Sequence, residues 1–352
     1  MSTFSPSERI KNLDLLRALA ILLVIYFHTT QMVYGKVIDN KAIYNLGKFG
    51  VNFFFVLSGF LITRIYLKDI TIHPGKFWAK RFLRIYPPYI ITLIGSWIAV
   101  SYARDASFDW GYIFMIQNFY IAIPFFLVSW SLCVEEHFYL IYTIVIFFTK
   151  NLKAQLFFWI SLCIIPCICR YFITPPNVDT FGYYTTATYL QMDSIAFGVL
   201  AAYFIEKQGM RLKISSGLIF VFIIPTLFVC YILSSYENQL TLSLGQSLLN
   251  IMITMVLIAL YYAKPLSIAN LKFVKFNAQA AFSIYLIHPI CIHLSMVVYS
   301  KLGISNLYVL HFGMITAIYV AAYAFHRSIE MPSIKFRDRL KIFEKKSKIK
   351  YA

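Results

Sequence analysis

Ten stretches of about twenty predominantly apolar residues recur along this chain, and each is long enough to cross a bilayer as a helix. No other feature restricts the fold as far. Hydrocarbon offers backbone N–H and C=O groups no water, so segments of this kind become helices packed on one another. The stretches lie at approximately 13–33, 49–67, 85–102, 131–149, 154–173, 187–205, 215–234, 243–262, 279–299 and 305–325. Only 13% of the 352 residues are charged, against about 25% in a soluble protein. The sequence therefore predicts an all-α integral membrane protein with about ten transmembrane helices. The segment 106–128 is aromatic and interrupted by Asp109, Asn118 and Pro124. It reads either as a re-entrant or interfacial segment or as an extra span that reverses every later orientation. The first apolar run is full-length and lacks a small-residue cleavage site, so it is expected to stay in the membrane. The six cysteines all sit in apolar segments and read as packing thiols, with no disulfide framework and no metal site expected.

Charge sets the orientation. With ten spans and a cytoplasmic N-terminus, 24 of the 32 basic residues fall on inner segments and six, Lys36, Lys41, Lys48, Arg104, Arg170 and Lys301, on outer ones. The other two, Arg17 and Arg64, lie within spans. This asymmetry predicts that both termini are cytoplasmic and that the protein is multi-pass in the inner, cytoplasmic membrane. It also accounts for the net charge of +17. The basic tail, 335–352, is expected to face anionic lipid headgroups rather than nucleic acid, behind one transmembrane domain over 1–334.

Charge inside a span costs roughly 2.5–3.5 kcal/mol even on lenient scales, so each such residue needs a reason. Arg17 and His28 are eleven residues apart, three helical turns and a small remainder. They share one face about 16 Å apart along the axis. Asp14 lies on nearly the same face and can pair with Arg17. The second span carries Gly50, Ser58 and Gly59, which permit close backbone approach, and ends near Arg64. Arg81 and Arg84 share one helical turn at the inner boundary, with forks that suit phosphate oxygens. The fourth span opens on Trp130, an interfacial residue, and then carries Glu135, Glu136 and His137. Adjacent side chains point about 100° apart, so one glutamate at most faces a given cavity. Gln191 and Asp193 lie in the outer part of the sixth span. In the ninth, His288 precedes Pro289, which is expected to open the helix and free carbonyls. His293 is a further buried candidate. The chain thus describes a cationic inner layer, Arg17, Arg64, Arg81 and Arg84, and an acid–base outer layer, His28, Glu135, Glu136, Asp193 and His288. Their spacing matches the length of a pantetheine arm.

At this point the chain resembles the membrane-bound acyltransferase family 3, whose members O-acylate cell-surface sugars. The resemblance rests on Arg17 and His28; on Gly50 to Ile62, with Asn52 where the family often has Asp; on Arg81 and Arg84; on Trp130 to Leu140; on Tyr285 to Pro289; and on Glu330 to Pro332. Gln191 is a departure, since the family often has Arg two residues before the aspartate matching Asp193. The resemblance implies about ten core helices and a cytoplasmic acyl-CoA donor, usually acetyl-CoA. The acceptor it implies is a hydroxyl of a saccharide or lipid-linked glycan. Some members carry an extracytoplasmic hydrolase-like domain. This sequence ends after a short basic tail, so the membrane domain is expected to complete the transfer.

The expected chemistry follows. His28 either acts as general base on a sugar hydroxyl or is transiently acylated. Glu135 or Glu136 orients its imidazole as a carboxylate does in a triad. Arg81 and Arg84, with Arg17 and Arg64, hold the CoA phosphates; Asp14, Ser58, Trp130, Asp193 and His288 support the site. The alternative is a proton-coupled transporter or flippase, in which the same His, Glu and Asp form a relay. Against it, no pair of Gly/Pro-interrupted helices occupies matching positions in two halves.

Overall fold

Every apolar run takes the one conformation hydrocarbon allows it. The computed structural model describes residues 10–35, 45–68, 74–104, 107–175, 181–207, 212, 214–235 and 238–340. Among them are ten helical segments long and apolar enough to span a membrane. They are built on α1 (Lys11–Tyr34), α2 (Gly50–Lys68), α3 (Pro74–Arg104), α4 (Trp130–Phe148), α5 (Leu152–Ile173), α6 (Thr188–Lys207), α7 (Ser216–Ser235), α8 (Gln246–Tyr262), α9 (Lys272–Lys301) and α10 (Leu307–Phe325). A π-type turn, His326–Glu330, joins α10 to a last helix, α11 (Met331–Arg339). The described residues contain no strand. Arg9, Lys36, Lys41, Arg211, Lys213 and the basic residues of 341–350 lie outside the described residues.

Two features differ from the sequence reading, both at proline. The third helix begins at Pro74 and runs unbroken through Pro87 and Pro88, so Arg81 and Arg84 ride on the spanning helix itself. Pro289 likewise sits inside the continuous α9 and does not open it. Proline removes one N–H and leaves the carbonyl four residues earlier without its donor, a defect that packed neighbours compensate in a membrane bundle. The helix α11 carries on through Arg337, which is buried.

The segment after α3 forms no helical span. It makes three short 3₁₀ turns, Trp110–Tyr112, Gln117–Phe119 and Leu127–Ser129. Aromatic hydroxyls pin it to the bundle: Tyr89 donates to the Tyr112 carbonyl at 2.9 Å and Tyr86 to that of Ile113 at 3.0 Å. Gln117 donates to Ser129 at 2.9 Å, tying the segment to the start of α4. Tyr120 donates to Asp109 at 3.0 Å; burial and this carboxylate push the phenol up to about 12, which keeps the donor protonated.

α1 packs against α2, α8, α9 and α10, which makes it the axis of the bundle. α2 and α6 form the tightest pair. A Cβ on Gly59 would lie 2.1 Å from the Ile195 carbonyl, and one on Gly198 2.0 Å from the Val56 carbonyl. Two reciprocal glycines thus bring the backbones into contact, the small-residue device of membrane helices. Gly50 does the same toward Ala20.

Candidate active site

Five helices, α1, α2, α3, α4 and α9, leave a cavity of about 170 Å³ between them. Helical periodicity decides what enters it. α1 contributes Asp14 and Arg17, one turn apart; α3 contributes Arg81 and Arg84, one turn apart; α4 contributes Ser131, Glu135 and Tyr139, every fourth residue. Ser58 enters from α2, and Ala278 and Tyr285 from α9. Arg17 Nη1 lies 3.1 Å from Asp14 Oδ1, the pairing expected from their spacing. Glu135 accepts hydrogen bonds from Ser58 at 3.1 Å and from the Tyr139 hydroxyl at 3.0 Å. The Arg81 guanidinium lies over the Tyr139 ring at 3.7 Å, and its buried Nε has no hydrogen-bond partner. Among the described residues neither Arg81 nor Arg84 has a carboxylate within 4.0 Å. The wall therefore carries three guanidinium groups against two carboxylates, and among the described residues two of the three make no direct ion pair. A cation held this way is complemented by an anion, best by one with several oxygens.

His28 is not on this wall. It lies about 16 Å from Arg17 along the continuous α1. What reaches toward it is α9. The Tyr285 hydroxyl at the cavity wall meets Ser131 at 2.6 Å and donates to the Val128 carbonyl at 2.7 Å. One turn on, His288 is wholly buried. Its ring centre is 5.7 Å from that of Tyr285 and 5.0 Å from that of His28. Among the described residues no hydrogen bond joins His28 to Glu135 or Glu136. Of the two carboxylates expected behind the imidazole, Glu135 is held by Ser58 and Tyr139, and the ring beside His28 is that of a second histidine.

The two glutamates separate as their 100° offset requires. Glu135 faces the cavity; Glu136 is buried off the wall, with one oxygen unpartnered. Arg64 does not join the arginine layer. It lies one turn beyond Phe60, whose ring packs on Tyr261 of α8. On that face its Nε pairs with Glu206 at 2.8 Å and its guanidinium lies 5.7 Å from the Tyr261 ring centre. Asp193 is also elsewhere, buried and held by both arms of Arg170 at 2.7 and 3.1 Å, with Ser247 donating at 2.8 Å. Arg170 is thus a core residue of α5 rather than an outer-surface charge. It supplies from another helix the cation that Gln191 does not. Gln191 instead accepts from Gln246 at 2.8 Å. Trp130 does not line the cavity; it packs edge-on against Phe181 and against Phe55, which does. Asn52 donates to Asn250 at 2.9 Å, a neutral pairing that an aspartate could not make as donor.

Four residues were not singled out from sequence as site residues. Tyr139 completes the seat of Glu135, and its i+4 spacing from that residue was the available signal. Ser283 and His326 clamp the buried Glu330, at 2.5 and 2.8 Å. His311 meets Thr29 at 3.3 Å, beside His28, and nothing in its local sequence marks it.

Comparison with known proteins agrees with this architecture. A family model described as an acyltransferase domain matches residues 10–326. The peptidoglycan O-acetyltransferase OatA of Listeria monocytogenes is 29% identical over 218 residues, 54% of this chain and 33% of that protein. The O-acetyltransferase OatA of Staphylococcus aureus is 28% identical over 244 residues, 61% of this chain and 38% of that protein. The chain thus spans little more than a third of the length of the curated relatives it matches. No solved structure matches it. With the family model covering nearly all of the helical bundle, the cavity and both histidines, the chain belongs to the membrane acyltransferase family 3.

Proposed function

We propose that this protein transfers an acetyl group from acetyl-CoA to a hydroxyl of a cell-surface saccharide. The observation that carries the reading is the pair Arg81 and Arg84, which face the cavity and make no direct ion pair among the described residues. The 3′-phosphate and diphosphate of CoA would supply the missing anions through bidentate contacts. The distance of about 16 Å from Arg17 to His28 is on the order of a pantetheine arm, so a donor anchored among the arginines offers its thioester at the level of His28. The acceptor class follows from relatives named as O-acetyltransferases, one of them as acting on peptidoglycan.

In this reading His28 removes the proton of the acceptor hydroxyl as its oxygen attacks the thioester carbonyl. The tetrahedral intermediate collapses with cleavage of the C–S bond. The imidazolium returns its proton to the departing thiolate, leaving an O-acetyl ester and free CoA. Glu135, held by Ser58 and Tyr139 beside Arg81, keeps the arginine cluster from excess charge.

The test uses purified protein in nanodiscs, labelled acetyl-CoA and peptidoglycan fragments. Replacing His28 with Ala is expected to abolish label transfer while leaving membrane yield and acetyl-CoA binding intact. Transfer at the wild-type rate in that variant removes His28 from the chemistry.

A further inference from the structure

A base that takes a proton at one imidazole nitrogen carries hydrogen on the other, and that N–H needs an acceptor to fix the tautomer. A carboxylate is the usual one. Among the described residues none is bonded to His28, and the ring of His288 lies beside it, 5.0 Å away between centres. The chemistry of His288 is set by its own helix. Pro289 has no N–H, so the Tyr285 carbonyl is left without its i+4 donor. His288 Nδ1 lies 3.3 Å from the Ile284 carbonyl. A carbonyl only accepts, so Nδ1 carries the hydrogen and Nε2 is a bare acceptor. That Nε2 is buried and has no partner. Histidine χ2 is a broad torsion, and rings this close come into hydrogen-bond reach by turning about it.

We propose that His288 is the positioning residue of the site: its bare Nε2 accepts the N–H of His28 and holds that imidazole in the tautomer that presents a base to the acceptor hydroxyl. This rests on the reading of His28 above. A neutral acceptor does the work of a carboxylate without burying a second charge in hydrocarbon, where charge is expensive. Tyr285, through its ring beside His288 and its hydroxyl on Ser131, couples this pair to the end of the cavity.

The experiment reads the tautomer directly. The protein is labelled with ¹⁵N-histidine in nanodiscs, and the His28 signal is assigned with His28→Ala. Two variants are compared with wild type: His288→Leu removes the acceptor, and His288→Gln places an amide oxygen near the position of Nε2. Wild type and His288→Gln are expected to show one fixed His28 tautomer, and His288→Leu an average of both. In parallel, His288→Leu is expected to lower acetyl transfer roughly 100-fold or more with acetyl-CoA affinity unchanged, and His288→Gln to recover most of it. An unchanged His28 signal in His288→Leu overturns the proposal. So does equal loss in both variants, which marks a packing role only. The tautomer measurement needs no acceptor. If His28→Ala retains transfer while the tautomer depends on His288, the functional reading fails and the hydrogen bond stands.

Discussion

At the scale of single residues, the arginines divide by what they meet. Arg64 and Arg170 are each tied to a carboxylate, Glu206 and Asp193, and serve the packing of helices. Removing one partner of a buried pair such as Arg170–Asp193 typically costs about 3–5 kcal/mol, because the other charge is stranded. Arg81 and Arg84 face the cavity, and in the proposed function they hold the donor. Arg84→Lys keeps the charge but loses the planar fork. Acetyl-CoA affinity is expected to fall about tenfold, the effect of losing about 1.4 kcal/mol, with affinity for the saccharide unchanged. Calorimetric titration of each ligand checks this. Weakened saccharide binding with intact donor binding would mean that the arginines serve the acceptor. Local sequence exposed Arg81 and Arg84 through their spacing. It could not say that Arg64 and Arg170 were spoken for, since Glu206 and Asp193 are 142 and 23 residues away.

At the scale of elements, the α2–α6 contact bears on both halves of the molecule. One face of α2 presses on α6 through Gly59 while the neighbouring Ser58 reaches Glu135. Any side chain at Gly198 must displace the Val56 backbone, 2.0 Å from its Cβ. Gly198→Leu is expected to destabilise the bundle by at least about 1–3 kcal/mol, the usual cost of overpacking, and to reduce acetyl transfer by moving Ser58. Gly217→Leu, where nothing lies within 4 Å, is the control and should melt like wild type. Thermal unfolding in detergent compares the two. The glycines were legible as close-approach residues, but their partner helix was not. The prolines of α3 and α9 misled for the opposite reason: local propensity argues for a break, and tertiary packing around the helix overrides it.

At the scale of the whole molecule, we propose from the ten spans and the uneven distribution of basic residues that the arginine cavity faces the cytoplasm and that His28 lies in the outer half. Reporter fusions at residue 352 and in the loop after α5 are expected to give opposite results, cytoplasmic for the first and external for the second. The same result at both positions would invert the assignment of donor and acceptor sides. A cavity open to the cytoplasm also predicts that salt weakens acetyl-CoA binding, as screening shortens from about 10 Å at 0.1 M to about 3 Å at 1 M. Titration across that range checks it; salt-independent binding would mean that the phosphates lie out of reach of solvent ions.

The sequence alone determined the number of helices, their all-α character, and the face shared by Asp14, Arg17 and His28, because each follows from hydrophobic length and the helical period. It also exposed Arg81, Arg84 and the adjacent glutamates as residues that hydrocarbon would not otherwise tolerate. Tertiary structure decided which of these meet. It turned Glu135 into the cavity and Glu136 out of it, spent Arg64 and Arg170 on carboxylates from other helices, and set His288 rather than a glutamate beside His28. The reason is geometric. Local sequence fixes where a side chain points around its own helix axis, but the neighbour it meets depends on how distant helices pack, and that is a property of the assembled bundle.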